Sequence, residues 1–348
     1  MQCASGIRLV ELCPDPALRR SVRHSRTFHG LDALRAVAAI SLLLFHASSG
    51  IGEWLAPSGY LAVDVFFVMS GFVIAHSYEE RIRQFGVRRF MTIRLIRFLP
   101  FFHLGGVLGI VMLALLRQSS ILGAATYFLF LPAPPRPEFA FSLSPINGPG
   151  WSLLFEIYVN LAYAALLPRL STRVILLVTT STGAALAAAS MAHIWIAGGS
   201  NWPTFWVGVL RVTFSFSTGV ALFRFRDRLT FDTKQIWPVL IIFFAATFVP
   251  ASSIWNGIVI LFVSPALVVS ALRAGQENWM ARYGATSSYG IYVIHAPLLS
   301  IADEASRSLS LSSTVTQMLI LAVILLAVPL LDRWFDRPLR RLLTKWWL

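Results

Sequence analysis

Ionisable side chains inside long apolar stretches are the first candidates for chemistry in this sequence. Arg35 and His46 lie eleven residues apart in one such stretch. Eleven residues are close to three turns of an α-helix, so the two side chains would share one face, about 16 Å apart along the axis. An arginine suits a phosphate or carboxylate ligand, and a deep histidine suits proton abstraction. The alternatives are a simple basic anchor for Arg35 and a packing role for His46.

Two carboxylates are candidates to act with that histidine. Asp64 lies in Val-Asp-Val-Phe-Phe-Val-Met-Ser-Gly, and Glu156 lies in Trp-Ser-Leu-Leu-Phe-Glu. If successive apolar stretches cross a membrane in alternate directions, His46, Asp64 and Glu156 all come to its outer half. A carboxylate there would orient the imidazole and stabilise its protonated form, which makes these three the predicted catalytic residues. A buried structural network, or an exposed Asp64, is the alternative.

A second pair of arginines, Arg94 and Arg97, lies three residues apart before Pro100. Residues at that spacing share a helix face, so the two guanidiniums would form an anion site at the cytoplasmic end of a span. Basic anchoring is again the alternative. His, Cys, Asp and Glu show no recognisable metal-ligand spacing, and the sequence has no nucleotide-binding loop. We therefore expect no metal and no bound cofactor.

The composition indicates that these residues lie in a membrane. The 348 residues are 56% hydrophobic and 13% charged, which is about half the charged fraction of a soluble domain. The sequence therefore predicts an all-α, polytopic membrane bundle of about ten transmembrane helices. The shorter apolar range 121–131 is interpreted as an interfacial or re-entrant piece. The predicted spans are 33–51, 61–78, 98–116, 151–168, 174–195, 204–223, 236–250, 255–272, 288–301 and 313–331.

The basic residues predict the orientation of the bundle. With ten spans and cytoplasmic N- and C-termini, all but four of the 29 Lys and Arg residues fall on the inner side, as the positive-inside rule requires. The net charge of +13 thus reflects topology, and nucleic-acid binding is excluded. Residues 1–29 are predicted to be a disordered basic tail at the inner lipid surface, followed by a single membrane domain, 30–348. Cys3 and Cys13 both lie in that tail, which argues against a disulfide framework.

Five segments follow one another in this order: Gly30-Leu-Asp-Ala-Leu-Arg35 with His46, Val63–Phe72, Arg94–Pro100, Trp151–Glu156 and Ser288–His295. Together they resemble the acyltransferase 3 family of integral-membrane O-acyltransferases. The resemblance covers about residues 30 to 340. Near its end, Asp336-Arg337-Pro338 stands where the family often has Glu-Lys-Pro, which is a mild departure. A fused SGNH-type hydrolase-like domain is not expected.

The resemblance implies transfer of an acyl group, acetyl by family usage, from cytoplasmic acyl-CoA to a hydroxyl group. The acceptor would be a glycan, a glycolipid or a sugar-bearing small molecule, and the location would be the bacterial inner membrane. His46 would act as base, and Arg35, Arg94 and Arg97 would bind the donor. The predicted lining of the reaction chamber is Trp151, Ser152, Ser288, Tyr289 and His295.

Two alternatives to a complete enzyme remain open at this point. A proton-coupled transporter or flippase also places charges inside the membrane. The polar residues are concentrated in the first four spans and no inverted repeat is visible, which favours the enzyme. The second alternative is a donor subunit that passes the acyl group to a separate periplasmic transferase. In either enzymatic case, the long proline-rich outer loop, about 117–150, is expected to shape acceptor choice.

Overall fold

The computed structural model describes residues 28–47, 56–228, 236–274 and 277–348. Within these ranges the chain is helical, with a single β-bridge between Ser142 and Asn201, so the all-α prediction is confirmed. Both cysteines and the predicted tail up to residue 27 lie outside the described residues. The helices are α1 (His29–His46), α2 (Ala62–Leu115), α3 (Ile121–Phe128), α4 (Gly150–Leu166), α5 (Thr172–Met191), α6 (Phe205–Arg224), α7 (Trp237–Ala246), α8 (Ser253–Ile258), α9 (Ser264–Arg273), α10 (Trp279–Ser308), α11 (Ser313–Leu331) and α12 (Arg337–Trp347).

Seven segments of the described chain are long and apolar enough to cross a membrane, which makes the protein an integral membrane protein. One of them, Gly59–Leu115, has 57 residues, or about 85 Å of helix, more than twice the thickness of a bilayer core. It is broken at Gly86, where φ is +81°, so α2 consists of two helices. The seven segments are His29–His46, Gly59–Leu115, Gly150–Arg169, Thr172–Met191, Trp202–Arg224, Ser253–Arg273 and Ser313–Trp347.

Each of the ten predicted spans overlaps a helix, and the eight-residue α3 lies within the predicted interfacial range. Helix α7 has only ten residues, and α10 is not among the seven segments that are long and apolar enough to cross. Ten crossings and cytoplasmic termini therefore stay predictions.

Helices α1 and α10 pack closely and run parallel. Gly284, near the start of α10, lies against the backbone carbonyl of Asp32 near the start of α1, with no room for a β-carbon. Further along both helices, the rings of His46 and His295 are in contact. Two contacts in the same order along both helices require a parallel arrangement. The small residue at position 284 thus allows the approach that places His46 against α10.

The proline-rich loop descends into the bundle before α4 begins. The Asn147 side chain donates to the carbonyl oxygen of Val293, in the middle of α10, at 2.9 Å. The Ile146 carbonyl lies against Gly109 of α2, where a β-carbon would not fit. Gly109 is six residues, or about 9 Å of helix, from the end of α2 at Leu115. Helix α4 therefore starts below the end of α2, and every residue on it lies deeper than a surface loop would place it.

Two loops on the same side of the bundle form one unit, which we call the outer cap after the side that the predicted orientation gives it: residues 133–149 and 192–204. The backbone N–H of Leu143 donates to Ser200, and that of Trp202 donates to Phe141, both at 2.9 Å. The indole N–H of Trp202 also donates to the carbonyl of Ala133 at 2.7 Å. These bonds satisfy loop backbone groups and hold the two loops together over α4.

Candidate active site

His46 lies against a second histidine, His295 of α10. Their ring centroids are 5.0 Å apart, with the ring planes at 44°. His46 is half-buried, whereas His295 is fully buried. Nδ1 of His295 lies 3.0 Å from the carbonyl oxygen of Ile291, one turn earlier on α10. The imidazole predicted to act as base therefore faces into the bundle and contacts a predicted chamber residue.

Tyr292 and Ser152 lie next to this histidine pair. The Tyr292 ring is 6.1 Å from that of His295, as expected for residues three apart on a helix. Its hydroxyl donates to the carbonyl of Pro149 at 3.1 Å and forms a second, very short hydrogen bond with the Ser152 hydroxyl. Both side chains are buried. A polar cluster of His46, His295, Tyr292 and Ser152 thus joins α1, α10 and the start of α4.

Glu156 lies one turn further along α4 from Ser152, on the same face. Its Oε1 accepts a hydrogen bond from Ser70 at 2.9 Å and from the Arg94 guanidinium at 3.0 Å. The sequence places Glu156 in the outer half of the membrane and Arg94 at the cytoplasmic end, and the two placements are incompatible with this ion pair. The descending loop explains the difference, because it starts α4 inside the bundle and lowers Glu156 toward Arg94.

Asp64 pairs with Arg211 of α6 and is completely buried. Its two oxygens accept from the Arg211 guanidinium at 3.3 and 2.5 Å. The same guanidinium donates to the carbonyls of Ala197 and Gly198, at 2.6 and 2.8 Å, in the outer cap. It also lies 5.8 Å from the ring of Trp151, a predicted chamber residue. The pair therefore ties α2, α6 and the outer cap together.

The expected contact between His46 and a carboxylate is thus not formed. Asp64 and Glu156 are each bound to an arginine, and neither forms an ion pair with His46 among the described residues. The interaction that orients the imidazole must come from elsewhere. The catalytic roles of all three residues stay predictions, with the His46–carboxylate pairing corrected.

The three predicted donor-binding arginines lie near one another. Arg35 is paired with Asp32 at 3.2 Å, three residues earlier on α1. Arg94 is buried, pairs with Glu156 and lies 4.9 Å from the ring of Phe98. Arg97 is exposed and interacts electrostatically with both arginines and with Asp32. Of the three, Arg97 alone makes no ion pair within the part of the chain that the structure describes, so its charge is available to an anion.

The remaining predicted chamber residues are less central. The Ser288 hydroxyl donates to the Gly284 carbonyl of its own helix at 2.7 Å. The Tyr289 hydroxyl donates to the Phe98 carbonyl at 2.8 Å, so this ring packs on α2. Two surface cavities of about 570 and 340 Å³ are lined by other residues than Arg35 and His46. The sequence also implies a water-accessible tunnel between those two side chains, because they would share one face of a helix, and that tunnel stays a prediction.

Comparison with known proteins decides the family. A family model described as "Acyltransferase domain", of the acyltransferase 3 type, matches residues 28–331. The chain belongs to the acyltransferase 3 family. It is therefore an acyltransferase, and the match extends from the start of α1 to the end of α11. All the polar clusters described above lie within the matched range.

Named relatives of this acyltransferase match parts of it. "Protein 2 in picA locus" of Rhizobium radiobacter is 34% identical over 162 residues, which cover 38% of this chain and 79% of that protein. "Peptidoglycan O-acetyltransferase OatA" of Listeria monocytogenes is 34% identical over 82 residues, 21% of this chain. "O-acetyltransferase OatA" of Staphylococcus aureus is 37% identical over 78 residues, 22% of this chain. The matches span only 12% of each OatA protein. No solved structure matches this acyltransferase.

Three contributors to the site were missed by sequence reasoning. Tyr292 lies in the quoted segment Ser288–His295, and its spacing of three from His295 was an available signal. Arg211 was recognisable as a charge within a span, which requires a partner. Asp336 lies in the segment that departs from the family pattern, and it pairs with Arg340 of α12 and interacts electrostatically with Arg97. Charge interactions therefore extend from the arginine cluster to the C-terminal helix.

Proposed function

We propose that the protein is a membrane O-acyltransferase. It moves an acyl group, acetyl in the first instance, from cytoplasmic acyl-CoA to a hydroxyl of a glycan or glycolipid at the outer face of a bacterial inner membrane. The observation that carries this proposal is the pair of polar clusters joined by α1. Its C-terminal end carries His46 within the histidine cluster, and its N-terminal part carries Arg35 beside Arg97.

The arginine cluster is the donor site in this proposal. CoA carries several phosphate groups, and arginine is the side chain best suited to bind phosphate through two hydrogen bonds. Arg97 is exposed and free of an ion pair within the described chain, so it would make the first contact. Arg35 and Arg94 would add positive charge behind it. The pantetheine arm would then cover the distance to His46, about 16 Å along α1.

The histidine cluster is the reaction site. His46 takes the proton from the acceptor hydroxyl as the oxygen attacks the thioester carbonyl carbon. The tetrahedral intermediate then collapses, the C–S bond breaks, and the CoA thiolate takes the proton from His46. General acid–base catalysis of this kind contributes about 10²- to 10⁴-fold to a rate. An acyl-histidine intermediate is a variant of the same scheme.

The acceptor class is supported by the relatives and by the loops. Two of the relatives are named O-acetyltransferases, and one of these names specifies peptidoglycan. The outer cap lies over the start of α4, where Trp151 and Ser152 belong to the site. A glycan would approach from this side. A separate outer-face transferase would be the alternative recipient of the acyl group.

The test uses the full chain in nanodiscs with labelled acetyl-CoA and a glycan fraction from the outer face. We expect release of free CoA and an acetylated product, and His46→Ala should lower both by about 10²-fold or more. The matched control is His103→Ala, since His103 of α2 is half-buried like His46 but its ring contacts Phe102 and Phe128. Unchanged transfer by His46→Ala would refute the mechanism. Movement of substrate without free CoA would indicate a carrier.

A further inference from the structure

We propose that His295 is the positioning residue for His46: its Nε2 accepts a hydrogen bond from the ring N–H of His46. This bond would keep the opposite nitrogen of His46 unprotonated and directed at the acceptor hydroxyl. The inference rests on the proposed function and supplies the orienting partner that neither carboxylate provides.

The hydrogen bonding of His295 defines which nitrogen carries its proton. Nδ1 lies 3.0 Å from the carbonyl oxygen of Ile291. A carbonyl oxygen only accepts, so Nδ1 is assigned the proton and Nε2 keeps a lone pair. His295 is fully buried, and its Nε2 has no hydrogen-bond partner among the described residues. An acceptor left unpaired in such a site is costly, so a nearby donor is required.

His46 is the donor that the geometry offers. At a centroid distance of 5.0 Å and a tilt of 44°, the two rings are close enough for a ring N–H of His46 to donate to Nε2. The Tyr292 hydroxyl, the next polar group along α10, already donates to the Pro149 carbonyl. Phe45, the other ring in contact with His46, has no polar hydrogen. The ring N–H of His46 is therefore the donor that remains for Nε2 of His295.

The bond would be present throughout the transfer, and His295 would neither gain nor lose a proton. Before reaction it selects the His46 tautomer whose free lone pair faces the acceptor. When His46 takes the hydroxyl proton, the resulting imidazolium donates to the same Nε2. The proton then leaves with the CoA thiolate, and His295 keeps its Nδ1 proton on the Ile291 carbonyl. A neutral imidazole thus takes the role that a carboxylate fills in other histidine-based sites.

The experiment compares two variants of His295 with the wild type in the acetyl-CoA assay. His295→Leu fills the volume but removes the acceptor, and His295→Gln restores an oxygen near the position of Nε2. We expect His295→Leu to lower kcat about 10- to 100-fold with little change in KM for acetyl-CoA, and His295→Gln to recover most of the loss. Wild-type kcat for His295→Leu, or equal kcat for folded Leu and Gln variants, would overturn the inference.

Two further measurements keep the result interpretable. His46→Ala is assayed in parallel: if it is inactive while His295→Leu is fully active, this inference fails and the proposed function stands. If His46→Ala is active, the proposed function itself fails. Should His295→Leu not fold, His295→Asn replaces it, because its shorter side chain withdraws the oxygen from His46. Equal kcat for the Asn and Gln variants would then contradict the inference.

Discussion

Two carboxylate–arginine pairs inside this bundle differ in how completely they are closed. Asp64 and Arg211 lie 2.5 Å apart with side chains 0% and 1% exposed, and the guanidinium also donates to two carbonyls of the outer cap. Glu156 and Arg94 lie 3.0 Å apart, and the Glu156 side chain is 17% exposed. Nε of Arg94 is buried without a hydrogen-bond partner among the described residues.

We infer from this difference a structural role for the Asp64–Arg211 pair and a chemical role for the Glu156–Arg94 pair. The Asp64–Arg211 pair is fully buried and bonded to the outer cap, so it exposes almost no surface to a substrate. Glu156 uses only Oε1 in the hydrogen bonds recorded within the described chain, and it lies between the histidine cluster and the arginine cluster. A partly exposed and partly satisfied pair retains atoms that can bind or respond to a ligand. Burial alone does not make an intramembrane carboxylate catalytic.

The largest effect is expected from breaking the closed pair, Asp64–Arg211. Arg211→Met leaves the Asp64 charge buried and unpaired, which costs about 3–5 kcal/mol of unfolding free energy. We expect a much lower midpoint of thermal unfolding in detergent, together with loss of the outer-cap contacts. The double variant Asp64→Leu with Arg211→Met removes both charges and should recover most of that stability. A single variant as stable as the wild type would show that the pair is not structural.

The partners in these pairs could not be derived from the sequence, although the presence of buried charges could. Apolar length and residue type are local properties, so they predicted the helices and identified Asp64, Glu156 and Arg94. Asp64 and Arg211 are 147 residues apart in the chain, and their pairing depends on how α2 packs on α6. No periodicity within either helix contains that information.

The depth of Glu156 shows a second limit. Counting residues from the end of a span assumes that the span begins at the membrane surface. Here the loop before α4 enters the bundle, with Asn147 bound to the Val293 carbonyl, so Glu156 reaches Arg94. By contrast, Arg35 and His46 share one helix, as the single apolar stretch predicted. Their common direction stays a prediction from helical geometry. The extent of this helix was thus predictable from sequence, whereas contacts between helices required the packing.

A smaller effect, on activity rather than stability, is expected from weakening the open pair, Glu156–Arg94. Glu156→Gln keeps a hydrogen-bonding side chain but removes the charge facing Arg94. A charge-assisted hydrogen bond is worth about 1.5–3 kcal/mol, which corresponds to roughly 10- to 150-fold in acetyl transfer. The unfolding midpoint should fall less than in Arg211→Met. Glu277→Gln is the control, because Glu277 is exposed and precedes α10, outside the outer cap. Full activity of Glu156→Gln would show that the Glu156–Arg94 pair, like the Asp64–Arg211 pair, has only a structural role.

The smallest effect is expected from removing the serine hydroxyls that donate to the two pairs. Ser70 donates to Glu156 at 2.9 Å, whereas Ser215 donates to Asp64 at 3.4 Å, close to the limit for a hydrogen bond. Ser70→Ala removes one of the two recorded bonds to Glu156, and at about 0.5–1.5 kcal/mol it should lower acetyl transfer roughly two- to tenfold. Ser215→Ala should leave transfer unchanged, since Arg211 holds Asp64 with two bonds. Initial rates of CoA release measure both variants, and equal rates would show that the open pair does not act on catalysis through Ser70.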